Sequence, residues 1–203
     1  MDIDMDELPI PPSSLTAPNH PGCGVCGQPA TSCCKRCYNM WYCSSGCLSD
    51  DRPLHQGLCK SFATLERHPT SGDSRRYSRA IYFPVLEDSP SFIWLEHHQE
   101  YSIIETTVSR IESLIGGKYE SWMNFDCHRE QRRLLGHKIE ILCGAHFACD
   151  GPNINRSIQN LLYKIGVQWK LADRWAGPFI ARGTTPGGTP IHLDTSALTP
   201  ILS

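Results

Sequence analysis

The chain has 203 residues, enough for one ordinary domain or for a small unit beside a larger one. Nineteen Lys and Arg stand against 21 Asp and Glu, a formal net charge of −2 that lacks the basic excess of a nucleic-acid-binding domain. Of its 11 cysteines, eight fall between Cys23 and Cys59, which excludes a disulfide scaffold stapling the whole chain.

Residues 1–22 are first acidic (Asp2, Asp4, Asp6, Glu7) and then proline-rich (Pro9, Pro11, Pro12, Pro18, Pro21). Such a segment buries too little apolar surface to offset its ordering entropy, so it is expected to be a disordered tail. It has neither the basic start and apolar run of a secretory signal nor the arginines of a transit peptide. No run of about 18 apolar residues occurs, so no membrane partner is expected. These readings place the protein inside the cell, in nucleus or cytoplasm without distinction. There thiols stay reduced, and clustered cysteines point to metal.

Residues 23–59 form the cysteine-rich unit, and residues 60–78, with His68-Pro69-Thr70-Ser71-Gly72, read as a polar linker. The remainder, 79–203, reads as an α+β region of unknown function. Ile81-Tyr82-Phe83 and Phe92-Ile93-Trp94-Leu95 are strand candidates bounded by Pro84 and Pro90. Tyr101 to Ile115 places Ile104, Val108, Ile111 and Ile115 at helical spacing, ended by Gly116-Gly117. Lys138 to Cys143 alternates as a strand. Ile158, Leu161, Leu162 and Ile165 form a second helical stripe, stopped by Gly166, and Gly183 to Pro190 reads as a turn or loop.

The spacing inside the cysteine unit carries the chemistry. Cys23-x2-Cys26 and Cys34-x2-Cys37 are followed by Cys43-x3-Cys47 and His55-x3-Cys59. Structural zinc takes four tetrahedral ligands from thiolate and imidazole, so four ligand pairs close two zinc sites. A C-x2-C turn brings two sulfurs onto one metal, and Gly27 after Cys26 tolerates the tight backbone. Residues four apart share a helix face, so Cys43/Cys47 and His55/Cys59 are expected on two short helices, with Pro53 in the first turn of the second. A unit below about 40 residues rarely folds without metal, disulfides or a partner. Spacing alone leaves open whether the pairs are ligated in sequence or interleaved, and whether Cys33 or Cys34 is the ligand.

The order Cys-Cys-Cys-Cys-Cys-Cys-His-Cys, with Tyr42-Cys43-Ser44 before an x3 pair and seven residues between Cys47 and His55, resembles a MYND zinc finger. RING and PHD fingers place their histidine earlier, and the HIT finger has a shorter gap before it. The resemblance covers residues 23–59. His55 to Phe62 and Arg79 to Pro84 are also similar to uncharacterised fungal proteins with an N-terminal MYND finger. The family implies interleaved ligation. One zinc would be held by Cys23, Cys26, Cys43 and Cys47, and the other by Cys34, Cys37, His55 and Cys59. The family's x2 spacing favours Cys34 over Cys33.

MYND fingers are mostly protein-interaction modules for short proline-containing peptides, often in transcriptional regulators. The family's groove uses a serine after the fifth cysteine, a glutamine after the sixth and a tryptophan four residues on. Ser44 matches, whereas Leu48 and Arg52 depart, and a guanidinium is not equivalent to a tryptophan face for a proline ring. The implied function is therefore zinc binding and a non-enzymatic interaction role, with no catalytic residue. The finger serving only as architecture for residues 79–203 is the alternative.

Other constellations have plainer readings. Cys143, His146 and Cys149 at three-residue spacing fan around a helix or alternate on a strand, which favours core cysteines. Asp126-Cys127-His128 are sequence neighbours, and catalytic partners usually meet only in the fold. Arg129, Arg132, Arg133 and Lys138 read as a solvated face, and His97-His98 as surface. The Gly183–Gly188 run lacks the G-K-[ST] ending of a phosphate loop. A SET-type methyltransferase needs an Asn-His motif, and the only such dipeptide, Asn19-His20, lies in the tail.

Overall fold

A computed structural model describes residues 22–65, 69, 75–100, 103–106, 108–128, 133–145, 153–166 and 175–191. The segment expected to be a disordered tail, 1–22, lies outside them apart from Gly22.

The chain first forms a two-stranded ribbon, β1 (Ser32–Cys33) and β2 (Trp41–Tyr42), and then α1 (Ser45–Thr64). Ser44 caps α1, its hydroxyl accepting from the Cys47 N–H. Two short helices were expected, but a single 20-residue helix is present and Cys43 precedes it. Pro53 sits inside this helix and withholds an N–H from the turn before it. The helix continues because one face stays buried on both sides of the proline, through Asp51, Leu54, His55, Leu58, Cys59 and Phe62. The same stripe carries α1 past Cys59 into the expected linker. Of residues 60–78, Lys60–Thr64 belongs to α1, and the strand that follows begins at Arg75.

The rest is built on one antiparallel sheet. β3 (Arg75–Phe83), β4 (Ser91–Glu100) and β5 (Ile103–Thr106) are joined in sequence, and α2 (Val108–Ile115) follows. Then come β6 (Tyr119–His128), β7 (Arg133–Gly144), α3 (Arg156–Lys164), β8 (Phe179–Thr184) and the short β9 (Pro190–Ile191). The spatial order is β5-β4-β3-β8-β7-β6, with β9 paired to β8. The late strand β8 is thus central and joins the two halves. No helix among the described residues is long and apolar enough to cross a membrane.

Three expectations change. The helix expected from Tyr101 is α2 alone, because Ile103–Thr106 pairs with β4 as a strand. Short β-branched runs fit either period, and a free strand edge decides between them. Gly183 and Thr184 end β8 and Pro190 opens β9, so the loop is only the turn between them. His97 is not at the surface: it is 1% exposed, and its Nε2 lies 2.7 Å from Ser78 Oγ on the neighbouring strand.

Strand alternation sorts the core into two faces. One face carries Ile81 and Phe83 of β3, Phe92 of β4, Ile139, Ile141 and Cys143 of β7, and Phe179 and Ala181 of β8. Leu54, Leu58, Cys59 and Phe62 of α1 and Ile158, Leu161 and Leu162 of α3 cover it. Cys37, Met40 and Tyr42 of the cysteine unit belong to the same cluster. On the other face, α2 lays Ile111 and Ile115 over Ala80, Leu95, Leu142 and Ile180. The cysteine unit therefore shares its core with the sheet.

Asn155 ties one end of this arrangement together. It is fully buried, its Nδ2 donates to Phe83 O at 2.9 Å and Gly177 O at 2.8 Å, and its Oδ1 caps α3 by accepting from Ile158 N.

Candidate metal centre

Two C-x2-C turns open the site, and both close in the same way. Gly27 N donates to Cys23 O at 2.9 Å, and Tyr38 N donates to Cys34 O at 2.8 Å. The residue after each second cysteine takes a positive φ, 75° at Gly27 and 56° at Tyr38. Glycine adopts that region freely, whereas Tyr38 enters it at a cost. Gly24 packs closely on the other side: a Cβ there would lie 2.0 Å from Met40 Cε, so the buried Met40 side chain would have to move.

The fold brings the eight residues into two groups. Cys23, Cys26, Cys43 and Cys47 converge in one, and Cys34, Cys37, His55 and Cys59 in the other. Within each, the ligand atoms all lie within 4.8 Å of one another. Cys33 stands in β1 and in neither group. Cys43 joins its group from the bend after β2, and Cys47 from the first turn of α1. His55 and Cys59 come from consecutive turns of α1, as their spacing predicts.

The distances test the fit to zinc. A tetrahedral zinc with bonds to sulfur of about 2.3 Å sets its sulfurs about 3.8 Å apart, and a sulfur and an imidazole nitrogen about 3.6 Å apart. In the first group Cys26 and Cys43 Sγ are 3.4 Å apart, Cys43 and Cys47 3.6 Å, and Cys47 and Cys26 3.8 Å. In the second, Cys34 and Cys59 Sγ are 3.8 Å apart, and Cys37 Sγ lies 3.6 Å from His55 Nε2. The two clusters fit two zinc ions.

The electrostatics agree. Burial raises the Cys23 thiol, but the backbone N–H groups of Cys26, Val25 and Cys43 more than offset it and bring it to about 6. Burial likewise raises Cys34, and the N–H groups of Cys37 and Arg36, with His55, bring it to about 6. Cys43 is pushed up to about 12 by the sulfurs of Cys26 and Cys47, and Cys59 to about 12 by burial and then by Cys34. One thiol of each group ionises readily, while Cys43 in the first group and Cys59 in the second resist a further negative charge. A dication at the centre removes that conflict.

Three positions around the ligands were not anticipated. Tyr42 Oη donates to Asp51 Oδ2 at 2.7 Å, and both residues are buried. Burial and then Asp51 raise the Tyr42 phenol, so it stays protonated as the donor. Asp51 lies four residues before His55 on the ligand face of α1, and that spacing was the available signal. Phe62 is the third. His55 is flanked by the Tyr42 ring, edge-on with centroids 6.3 Å apart, and by the Phe62 ring at 6.5 Å.

Among the described residues the remaining candidates form no further cluster. Cys143 is 1% exposed on the core face of β7, and burial, then Glu120, pushes its thiol up to about 11. His146 and Cys149 lie outside the described residues, as do Arg129 and Arg132. Asp126 is exposed and Cys127 half-buried on the edge strand β6.

Residues 23–59 match the family model of the MYND finger. No curated protein and no solved structure matches the chain. The matched segment, with its two donor groups, is a MYND finger.

Proposed function

We propose that this chain is a non-enzymatic, intracellular zinc-binding protein whose finger takes a protein partner on the outer face of α1. Cys23, Cys26, Cys43 and Cys47 hold one zinc ion, and Cys34, Cys37, His55 and Cys59 the other. Metal of this kind supplies structure and not reaction chemistry, because four protein ligands leave no open position.

The observation that carries the reading is the two-sidedness of α1. Its inner face is buried against the sheet, while Ser44, Leu48 and Arg52 point outward, with Leu48 41% exposed. A large apolar side chain beside a cation is a contact patch of the kind partners use. Leu48 and Arg52 stand where the family's peptide groove carries glutamine and tryptophan. The ligand is accordingly a peptide that offers an acidic group beside its apolar or proline residue. A role in transcriptional regulation is consistent with the family. Ser44 has a second duty as the cap of α1, which makes it a poor test residue.

The shared core favours a second reading, in which the finger serves as architecture for the sheet. One experiment separates the two. The full chain and its Leu48→Asp, Arg52→Glu variant are used as baits, with zinc content measured in both. Partner loss with two zincs retained supports the interaction role. Unchanged recovery by the variant removes α1 as the binding face and leaves the architectural reading.

A further inference from the structure

The two donor groups differ in how they are embedded. In the second group Cys37, His55 and Cys59 are buried, and only Cys34 is half-buried. Cys37 and Cys59 lie in the same cluster as Ile81, Phe92, Ile141 and Phe179 of the sheet. His55 contacts Phe62, and Phe62 packs on Phe92 of β4 with ring centroids 3.8 Å apart. Ser61 Oγ, on the same turn of α1, accepts the Phe92 N–H at 2.6 Å. Releasing this metal leaves His55 and Cys59 of α1 without their shared partner at the point where the helix meets the sheet.

The first group sits at the margin. Cys26 is exposed, Cys43 and Cys47 are half-buried, and only Cys23 is buried. Gly27, Gln28 and Ser44 beside them are exposed as well. None of Cys23, Cys26 and Cys43 belongs to the core shared with the sheet, and Cys47 only packs against its rim.

Zinc held by four thiolates exchanges when an entering ligand displaces one of them, so the rate follows access to a ligand atom. In the first group an entering thiolate or chelator reaches Cys26 from solvent. In the second, Cys34 alone is partly open to solvent, and Cys37, His55 and Cys59 must leave the core before the metal is released, an opening that approaches global unfolding.

We propose that the two zinc ions divide the work. The zinc of Cys34, Cys37, His55 and Cys59 is a structural element of the whole fold, sheet included. The zinc of Cys23, Cys26, Cys43 and Cys47 is exchangeable, filling and emptying with the available zinc while the sheet stays folded. The finger is thus not one metal-dependent unit but two halves with different partners, solvent and sheet.

The test uses the full zinc-loaded chain and a graded excess of a chromogenic zinc chelator. Native mass spectrometry counts the bound metal, iodoacetamide maps freed thiols, and hydrogen exchange follows the amides of Ile139, Ile141 and Ala181. One zinc should leave first, with alkylation at Cys23, Cys26, Cys43 and Cys47 and the sheet amides still protected. The second should leave together with that protection, opening Cys37 and Cys59. Simultaneous loss of both ions overturns the proposal. So does first alkylation at Cys37 and Cys59, or sheet protection that survives removal of both metals.

Discussion

Phe62 and Phe92 pack ring on ring with centroids 3.8 Å apart, the first on the zinc-bearing helix and the second on the sheet. The Arg79 guanidinium carbon lies 5.1 Å from the Phe62 ring centroid, a cation over an aromatic face. This contact joins the finger and the sheet into one cooperative core. Phe62→Ala removes a side chain only 3% exposed and should cost about 3–5 kcal/mol. Urea denaturation followed by fluorescence measures it. The expected result is an early loss of the finger-to-sheet coupling, seen as two transitions where the parent shows one.

Asn155 is the corresponding clip at the other helix. Asn155→Ala leaves Phe83 O, Gly177 O and the capped Ile158 N–H without their partner inside the core. The loss should be roughly 2–3 kcal/mol, combining a missing cap with buried unsatisfied groups. Asn155→Asp keeps the cap oxygen but sets a buried carboxylate oxygen against the two carbonyl acceptors, so at neutral pH it should be at least as destabilising as Asn155→Ala. A chemical-denaturation series of the three proteins reads this directly.

Tyr38 offers the opposite sign. Its φ of 56° is left-handed while its side chain is 67% exposed, so strain is present with little packing to lose. Tyr38→Gly should raise stability by about 1 kcal/mol, provided zinc is bound in both proteins. A thermal melt in zinc-buffered solution gives the answer, and a lower melting temperature for the variant counts against a strained knuckle.

Much of the metal site was legible because its determinants are local. A C-x2-C turn, an x3 pair at a helix start and a histidine four before a cysteine constrain geometry within a few residues. The helix of Ile158 to Ile165 was legible too, whereas its cap at Asn155 was not singled out. β8 was not legible. Phe179–Thr184 is buried on both faces, so it shows no alternation, and its arginine and glycine resemble a loop. His97 was misplaced for a related reason: its burial depends on β4 running to Glu100, beyond the aromatic run that marked the strand. Docking of finger on sheet stood only as the alternative, and its contacts were not legible because they join distant segments, such as Phe62 with Phe92.

Cys143 predicts a pH dependence. Burial and then Glu120 raise its thiol to about 11, above an ordinary value of about 8.5. The folded state therefore holds this proton where the unfolded chain has lost it. The resulting stability is complete below about 8.5 and disappears as the pH rises through about 11. Cys143→Ala removes that slope. Urea midpoints taken at neutral and alkaline pH should fall less for the variant than for the parent. Equal falls in the two proteins contradict the assignment.

Eight residues from four segments form two closed zinc sites in one folded chain. The most direct measurement is the intact mass of the full chain under native conditions. Two zinc ions per chain are expected, with their loss on acid denaturation. A single zinc, or a third, contradicts it.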